Sequence, residues 1–345
     1  MILLFYAKKR SIFFITFTMK RIYLLTILVT VTLMSCHKKV DINKIKPGDI
    51  IAINEAIKSE PDNAALFNLR AEYYAARQKF DDAIADMNKA IELSDDKFDL
   101  YVKLSGMYIL NGSPQQALEA LNKSLELKPD NIPALNKKAK LYFIMKDYEN
   151  CAAAVEKVLS IDKGNADALY TKGNALEEAG EIDKAIEAYQ EALLDNSKHY
   201  ESLLHLGYIF LEKDVNLAKD YFANAVKINP QSTEALYNLA MISQENEHPE
   251  DALKLYDNML KINPSDKLAL YNSGYVELVY LQDFAKAISF FNQAILVDST
   301  YADAYFNRGY SYELLGDNEA SQADYQKVYK LNPDYKNIKQ RLNSR

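Results

Sequence analysis

Tryptophan is absent from this 345-residue sequence, cysteine occurs twice and histidine four times, and there are only nine prolines and ten glycines. Without tryptophan the chain lacks the broad ring on which sugar-binding sites most often stack. Two cysteines, Cys36 and Cys151, permit one disulfide at most. So few glycines and prolines leave little to punctuate a chain long enough for two or three ordinary domains, which predicts one continuous all-helical body. The four histidines (His37, His199, His205, His248) are scattered with no metal-ligand spacing. No glycine-rich phosphate loop and no nucleophile elbow occurs. No catalytic residue, metal ligand or small-molecule cofactor is therefore expected, and the chain is not expected to be an enzyme. A basic excess is missing too: Lys and Arg total 41 against 48 Asp and Glu. The first 35 residues hold five bases and no acid, leaving 36 bases against 48 acids, a net of −12, in the remainder. A surface that acidic repels nucleic acid.

What is present begins with a targeting pattern. Lys20 and Arg21 precede an apolar run from Ile22 to Met34, followed by Ser35 and Cys36. The run is 13 residues long, short of the roughly 20 that a helix needs to span a bilayer core. With its box Leu33-Met34-Ser35-Cys36 it resembles the signal peptide of bacterial lipoproteins, although Met34 is bulkier than that box usually carries. The resemblance implies a signal peptide over 1–35 with its true start at Met19. It further implies that Cys36 becomes the first mature residue and carries a diacylglycerol and an amide-linked acyl chain. At about 0.8 kcal/mol per buried methylene, several chains anchor a protein durably. Cys151 is then left with no partner for an internal disulfide. His37, Lys38 and Lys39 lack the acidic cluster of surface-displayed lipoproteins, which favours a cell-envelope protein in the outer membrane facing the periplasm. Residues 36–47 would form a tether reaching about 40 Å at most.

The rest of the chain repeats with a period near 34. Small residues recur at Ala71, Ser105, Ala139, Gly173, Gly207, Ala240, Gly274 and Gly309. A second column runs Ala83, Ala117, Cys151, Ala185, Ala218, Ala252, Ala287 and Ser321; a third runs Ala90, Ser124, Val158, Ala192, Ala225, Met259, Ala294 and Val328. Large residues accompany them: Phe67 to Tyr305 four positions before each small residue, and Met87, Leu121, Val155, Tyr189, Phe222, Tyr256, Phe291 and Tyr325 on each second helix. Pro129, Pro230, Pro264 and Pro333 mark helix exits. Three registered columns in eight copies resemble the tetratricopeptide repeat, in which small side chains let two antiparallel helices cross closely. The resemblance implies an all-α fold, a right-handed α–α superhelical solenoid of about eight repeats over 62–334, capped by helices at 48–61 and 335–345. One turn, between Gly207 and Ala218, should be a residue short, and one, between Gly274 and Ala287, a residue long. The longer turn puts Glu277 where other repeats place a core residue.

Tetratricopeptide arrays bind extended peptides along the concave face of their first helices. Here that face reads Tyr170, Asn174, Glu177; Leu204, Tyr208, Leu211; Tyr237, Met241, Gln244; Tyr271, Tyr275, Leu278; Phe306, Tyr310, Glu313, with Asn68, Glu72, Ala75 and Val102, Gly106, Ile109 in earlier repeats. The expected peptide groove centres on Tyr208, Tyr237, Tyr271, Tyr275, Phe306 and Tyr310, aromatics that offer rigid contact area, the tyrosines with a polar tip. Beside them Asn238, Asn272 and Asn307 resemble the asparagine ladder of the nucleocytoplasmic glycosyltransferases that modify Ser and Thr, which implies amides free to bond a peptide backbone. The equivalent earlier positions are Leu69, Lys103, Lys137, Thr171 and His205. Carboxylates at Glu177, Glu178, Glu212, Glu245 and Glu313 border the face and favour a basic partner segment.

The expected function is a non-enzymatic protein–protein interaction scaffold, or adaptor, at the cell envelope, with the lipid bilayer as second partner through Cys36. The alternative is a glycan- or nutrient-binding lipoprotein serving a transporter. An uninterrupted repeat without tryptophan weighs against it.

Overall fold

The computed structural model describes residues 41–46, 48–246 and 248–343. Cys36, the segment 1–35 and residues 36–40 and 47 of the tether lie outside the described residues. Among the described residues the chain is all-α, with helices in consecutive antiparallel pairs and no strand. A 3-10 turn (Ile42–Lys44) and helix α1 (Ile50–Ser59) precede the pairs α2 (Ala64–Ala75) with α3 (Phe80–Leu93), and α4 (Phe98–Leu110) with α5 (Pro114–Leu127). Then come α6 (Ile132–Ile144) with α7 (Tyr148–Ile161), α8 (Ala166–Glu178) with α9 (Ile182–Asp195), and α10 (Tyr200–Lys213) with α11 (Val215–Ile228). The series continues with α12 (Thr233–Glu245) and α13 (Pro249–Ile262), α14 (Lys267–Val279) and α15 (Phe284–Val297), α16 (Ala302–Leu314) and α17 (Asn318–Leu331), ending on α18 (Ile338–Asn343). Packing groups the chain into two compact units, Met1–Ala134 and Leu135–Arg345.

The small-residue column sits where two helices of a pair cross. Ala71, Ser105, Ala139 and Ala240 are wholly buried, and so are the large partners Met87, Leu121, Tyr189, Phe222, Tyr256, Phe291 and Tyr325. At the glycines the fit is closest. A Cβ added at Gly173 would lie 2.4 Å from the Tyr189 ring, and at Gly207 and Gly274 it would lie 2.8 Å from Phe222 and Phe291. Each core is then completed by the next pair. In the second unit Leu236, Ala240, Tyr256 and Met259 pack with Ala269 and Val276, and Leu270, Phe291 and Ala294 pack with Ala304. In the first unit Ala71, Met87 and Ile91 pack with Leu104 and Met107.

Capping explains where helices begin. Asn63, Asp147, Asn165, Ser232, Asp266 and Asp317 each accept a bond from a backbone N–H of the first turn. The turn inside six of the eight pairs carries one residue of left-handed backbone: Gly112, Gly180 and Gly316 at φ 70°, 77° and 83°, and Gln78, Lys146 and Gln282 at 59°, 59° and 55°. Both length changes are where the spacing placed them. Asp214 alone links α10 to α11, closing one helix and capping the next with bonds from the N–H groups of Asn216 and Leu217. Between α14 and α15 four residues, 280–283, replace the three of the turn after α8. Glu277 is indeed drawn into the core, at 4% exposure, and its Oε2 has no hydrogen-bond partner.

The first and last pairs share a tie. Arg70 on α2 donates to both carboxylate oxygens of Asp86 on α3 (2.6 and 2.8 Å) and to Asn54 Oδ1 on α1 (2.8 Å). Arg308 on α16 does the same to Asp324 on α17 (2.8 and 2.6 Å) and to Asn292 on α15 (2.5 Å). Asn292 lies on the second helix of the preceding pair. The matching bond gives α1 the register of a second helix. At the other end Ile338 of α18 packs on Tyr325 and Val328.

Two stability measurements follow. Gly207→Val drives a branched side chain into the Phe222 ring, and a loss of about 3 kcal/mol is expected in urea melts, the upper part of the range for overpacking. Burial raises the Glu277 carboxyl above its ordinary value, with Lys286 opposing. A carboxyl raised in this way favours the fold below its unfolded value and loses that stabilisation as pH rises through the folded one. Glu277→Leu is expected to stabilise the protein by about 1–3 kcal/mol at pH 7, the gain shrinking as pH falls through the raised value toward 4.5, the ordinary value of that carboxyl.

Candidate functional site

The first helices of the second unit carry the expected face, because residues at i, i+4 and i+7 share one side of a helix. Tyr237, Tyr271, Tyr275, Phe306 and Tyr310 are half-buried, and Tyr208 is 38% exposed. Leu204, Gln244 and Leu278 are buried and belong to the core. The rings lean on neighbouring repeats: Tyr271 lies 5.0 Å from Tyr301, and Phe306 lies 5.1 Å from Tyr335, centroid to centroid. Burial, with Asp303 adding to it, pushes the Tyr271 hydroxyl up to about 12. Burial and the bond to Glu234 push Tyr208 to about 12 as well. Both are neutral hydroxyl donors at physiological pH.

The asparagine row is not the set of three open amides that the sequence suggested. Asn272 is only 7% exposed. Thr171, in the same column, is buried as well, because that column borders the packed side of the helix. The other two amides are engaged within the protein: Asn238 donates to the Tyr208 hydroxyl (3.1 Å) and to the Glu234 carbonyl (2.9 Å), and Asn307 donates to the Tyr271 hydroxyl (2.9 Å). They tie successive first helices together.

A connected polar cluster lies further toward α8. The Tyr189 hydroxyl, reaching up from α9, is 2.7 Å from both Asn174 Oδ1 and Glu177 Oε2. His205 on α10 places Nδ1 3.1 Å from the same Glu177 oxygen and Nε2 3.2 Å from the Tyr170 hydroxyl. An imidazole protonated on Nδ1 satisfies both contacts, donating to Glu177 and accepting from Tyr170. Burial, and next the bond to Glu177, raise the Tyr189 hydroxyl far above its ordinary value. Burial also raises Tyr170, against the bond with Asn174. These groups border a pocket of about 680 Å³ to which α6 contributes Phe143, α8 contributes Tyr170, Asn174, Glu177 and Glu178, and Ile182 and His205 complete the wall.

The sequence brought Tyr170, Asn174, Glu177 and Glu178 to this face but missed three participants. Phe143 stands four residues after Ala139 as Glu177 stands four after Gly173, so the register itself identifies it. Tyr189 was assigned to the core alone, although a buried tyrosine hydroxyl needs a partner. His205 was counted only as a gap in the asparagine row. Among the described residues no group of three or more His, Cys, Asp or Glu is placed to hold a metal ion, and no helix is long and apolar enough to cross a membrane. Cys151 is buried, and desolvation raises its thiol.

Residues 142–205, 210–272 and 302–335 match models of the tetratricopeptide repeat. Over those stretches the helix pairs just described are similar in sequence to the tetratricopeptide repeat. A model of the ChAPs, Chs5p-Arf1p-binding proteins, matches residues 17–129. No curated protein matches significantly. Among solved structures, the C-terminal part of a TPR repeat-containing protein from Cytophaga hutchinsonii has a TM-score of 0.57 at 18% identity, covering 70% of this chain and 100% of that one. YrrB, a TPR protein with an unusual peptide-binding site, gives 0.49 at 23% identity over 54% of this chain and 96% of its own. The pilF protein of Pseudomonas aeruginosa gives 0.48 at 16% identity over 61% and 95%. The Cytophaga likeness establishes a shared tetratricopeptide fold.

The tyrosine bond to Glu177 has a measurable weight. Tyr189→Phe retains the packed ring and removes the donor. The loss expected in urea melts is about 1 kcal/mol, below the usual 1.5–3 for a bond to a charged group because Glu177 is partly solvated.

Proposed function

We propose that this protein is a non-enzymatic scaffold that holds a partner protein by an extended segment lying along first helices α8, α10, α12, α14 and α16, at the cell envelope, tethered through an acylated Cys36. Tetratricopeptide repeats generally bind proteins or peptides, and that class of activity is the ground for the proposal. The observation that supports this reading is a set of half-buried aromatic side chains, Tyr170, Tyr237, Tyr271 and Phe306 at one register of α8, α12, α14 and α16 and Tyr275 and Tyr310 one turn further along, all but Phe306 with a polar tip. Such rings give contact area at low entropic cost, and their hydroxyls can serve a peptide backbone. With Asn238 and Asn307 donating to tyrosine hydroxyls, the amides set the spacing between first helices and leave partner contact to the rings. The lipoprotein box at Cys36 supports the envelope setting, since a short tether would hold the groove close to its membrane.

The test uses the full chain, tagged at its C-terminus and extracted from bacterial envelopes in detergent. A partner recovered with the parent and reduced at least tenfold by Tyr208→Ala with Tyr310→Ala, at unchanged thermal midpoint, is expected. Mass spectrometry should find the Cys36 peptide acylated, and Cys36→Ala should move the protein out of the membrane fraction. Recovery that ignores the double substitution would remove the groove from the proposal, and an unmodified Cys36 thiol would remove the anchor.

A further inference from the structure

We infer that the pocket bordered by α6, α8 and α10 receives one basic side chain, arginine or lysine, of the bound segment. The inference rests on the interaction proposal and adds to it the chemistry of one subsite.

The pocket has a charge of one sign. Glu177 and Glu178 line it, and none of its lining residues is Lys or Arg. Glu201 and Glu234 lie close enough to act on the Tyr170 hydroxyl, so they deepen the negative potential. The carboxylate at its centre is held in place before any ligand arrives. Tyr189 and His205 both bond to Oε2 of Glu177, and Oε1 is left to the pocket. Fixing one oxygen and leaving the other open is how a site presents a carboxylate to an incoming donor without reorganising it. Phe143 and Tyr170 add aromatic walls. A guanidinium or ammonium can lie against such a ring, within about 6 Å of its centroid, while donating to a carboxylate.

Size and the alternatives narrow the occupant. About 680 Å³ is more than one side chain fills, and it suits a long side chain entering together with the adjoining backbone. A phosphate or carboxylate would face Glu177 and Glu178 with no lining Lys or Arg to offset them. A purely apolar group would strip water from Glu177 without replacing its hydrogen bonds. A basic group meets each of these requirements, and arginine meets the planar, stacked ones best.

The test probes the full chain in detergent with small amides, so it does not depend on finding the natural partner. Histidine rings are isotopically labelled, the His205 signal is assigned with His205→Gln, and N-acetyl-arginine methylamide and N-acetyl-lysine methylamide are titrated alongside the glutamate and leucine counterparts. The basic amides are expected to shift the His205 signal saturably, with at least tenfold weaker binding for the other two and for basic amides at raised salt. Glu177→Gln, which still accepts the Tyr189 hydroxyl, should weaken arginine binding at least tenfold, whereas Asp257→Asn on α13 makes the same charge change far from the pocket and should alter it less than twofold. No saturable shift at His205, equal shifts from the glutamate amide, or indifference to Glu177→Gln would each overturn the inference. A basic-amide response without a recoverable protein partner would overturn the scaffold proposal and leave the subsite standing; a partner held by the groove with no such response would do the reverse.

Discussion

Every hairpin depends on one close crossing, a small side chain on the first helix against a large buried one on the second. At Gly173, Gly207 and Gly274 the ring of the partner occupies the volume a Cβ would take. Where the small residue is alanine or serine the partner is Met87, Leu121, Val155 or Tyr256, all buried. This contact sets the distance and angle between paired helices, and so it fixes where the outer face of each first helix ends up. The tyrosine hydroxyls of Tyr189, Tyr256 and Tyr325 emerge at the edge of that face because their rings are pinned there, bonding to Glu177, Gln244 and Glu313. The polar chemistry of the groove is in this sense the far end of the core packing.

That dependence explains which parts were legible in the sequence. A steric requirement imposed once per repeat writes itself into a column, so the small and large positions, the shortened turn at Asp214, the lengthened one at 280–283 and the burial of Glu277 could be read from spacing alone. The polar cluster could not. Glu177, Tyr189 and His205 belong to three different helices in two repeats, and nothing in their spacing marks them as neighbours until the hairpins are stacked. Phe143 is legible from the register, four residues after Ala139 as Glu177 is after Gly173. Asn272 failed for a different reason: three asparagines in one column suggest a shared role, but the column lies on the border between open face and packed flank, and small rotations of each helix decide which side a residue joins.

The same border position gives the tyrosines two tasks. Tyr271 packs tilted against Tyr301 and accepts from Asn307, and Tyr208 donates to Glu234 while accepting from Asn238. Contacts of this kind hold successive first helices at a fixed spacing, which is the spacing an extended chain would meet in crossing them. A groove built so has its rings already ordered, and a ligand need not supply the free energy to immobilise them.

The arginine ties of the first and last pairs have a mechanical meaning. In a nearest-neighbour stack an interior hairpin is clamped from two sides and a terminal one from a single side, so unzipping starts where only one neighbour resists. Arg70 with Asp86 and Asn54, and Arg308 with Asp324 and Asn292, each join three helices by charge-assisted bonds at those two positions. They act as latches, raising the cost of fraying within each of these two hairpins.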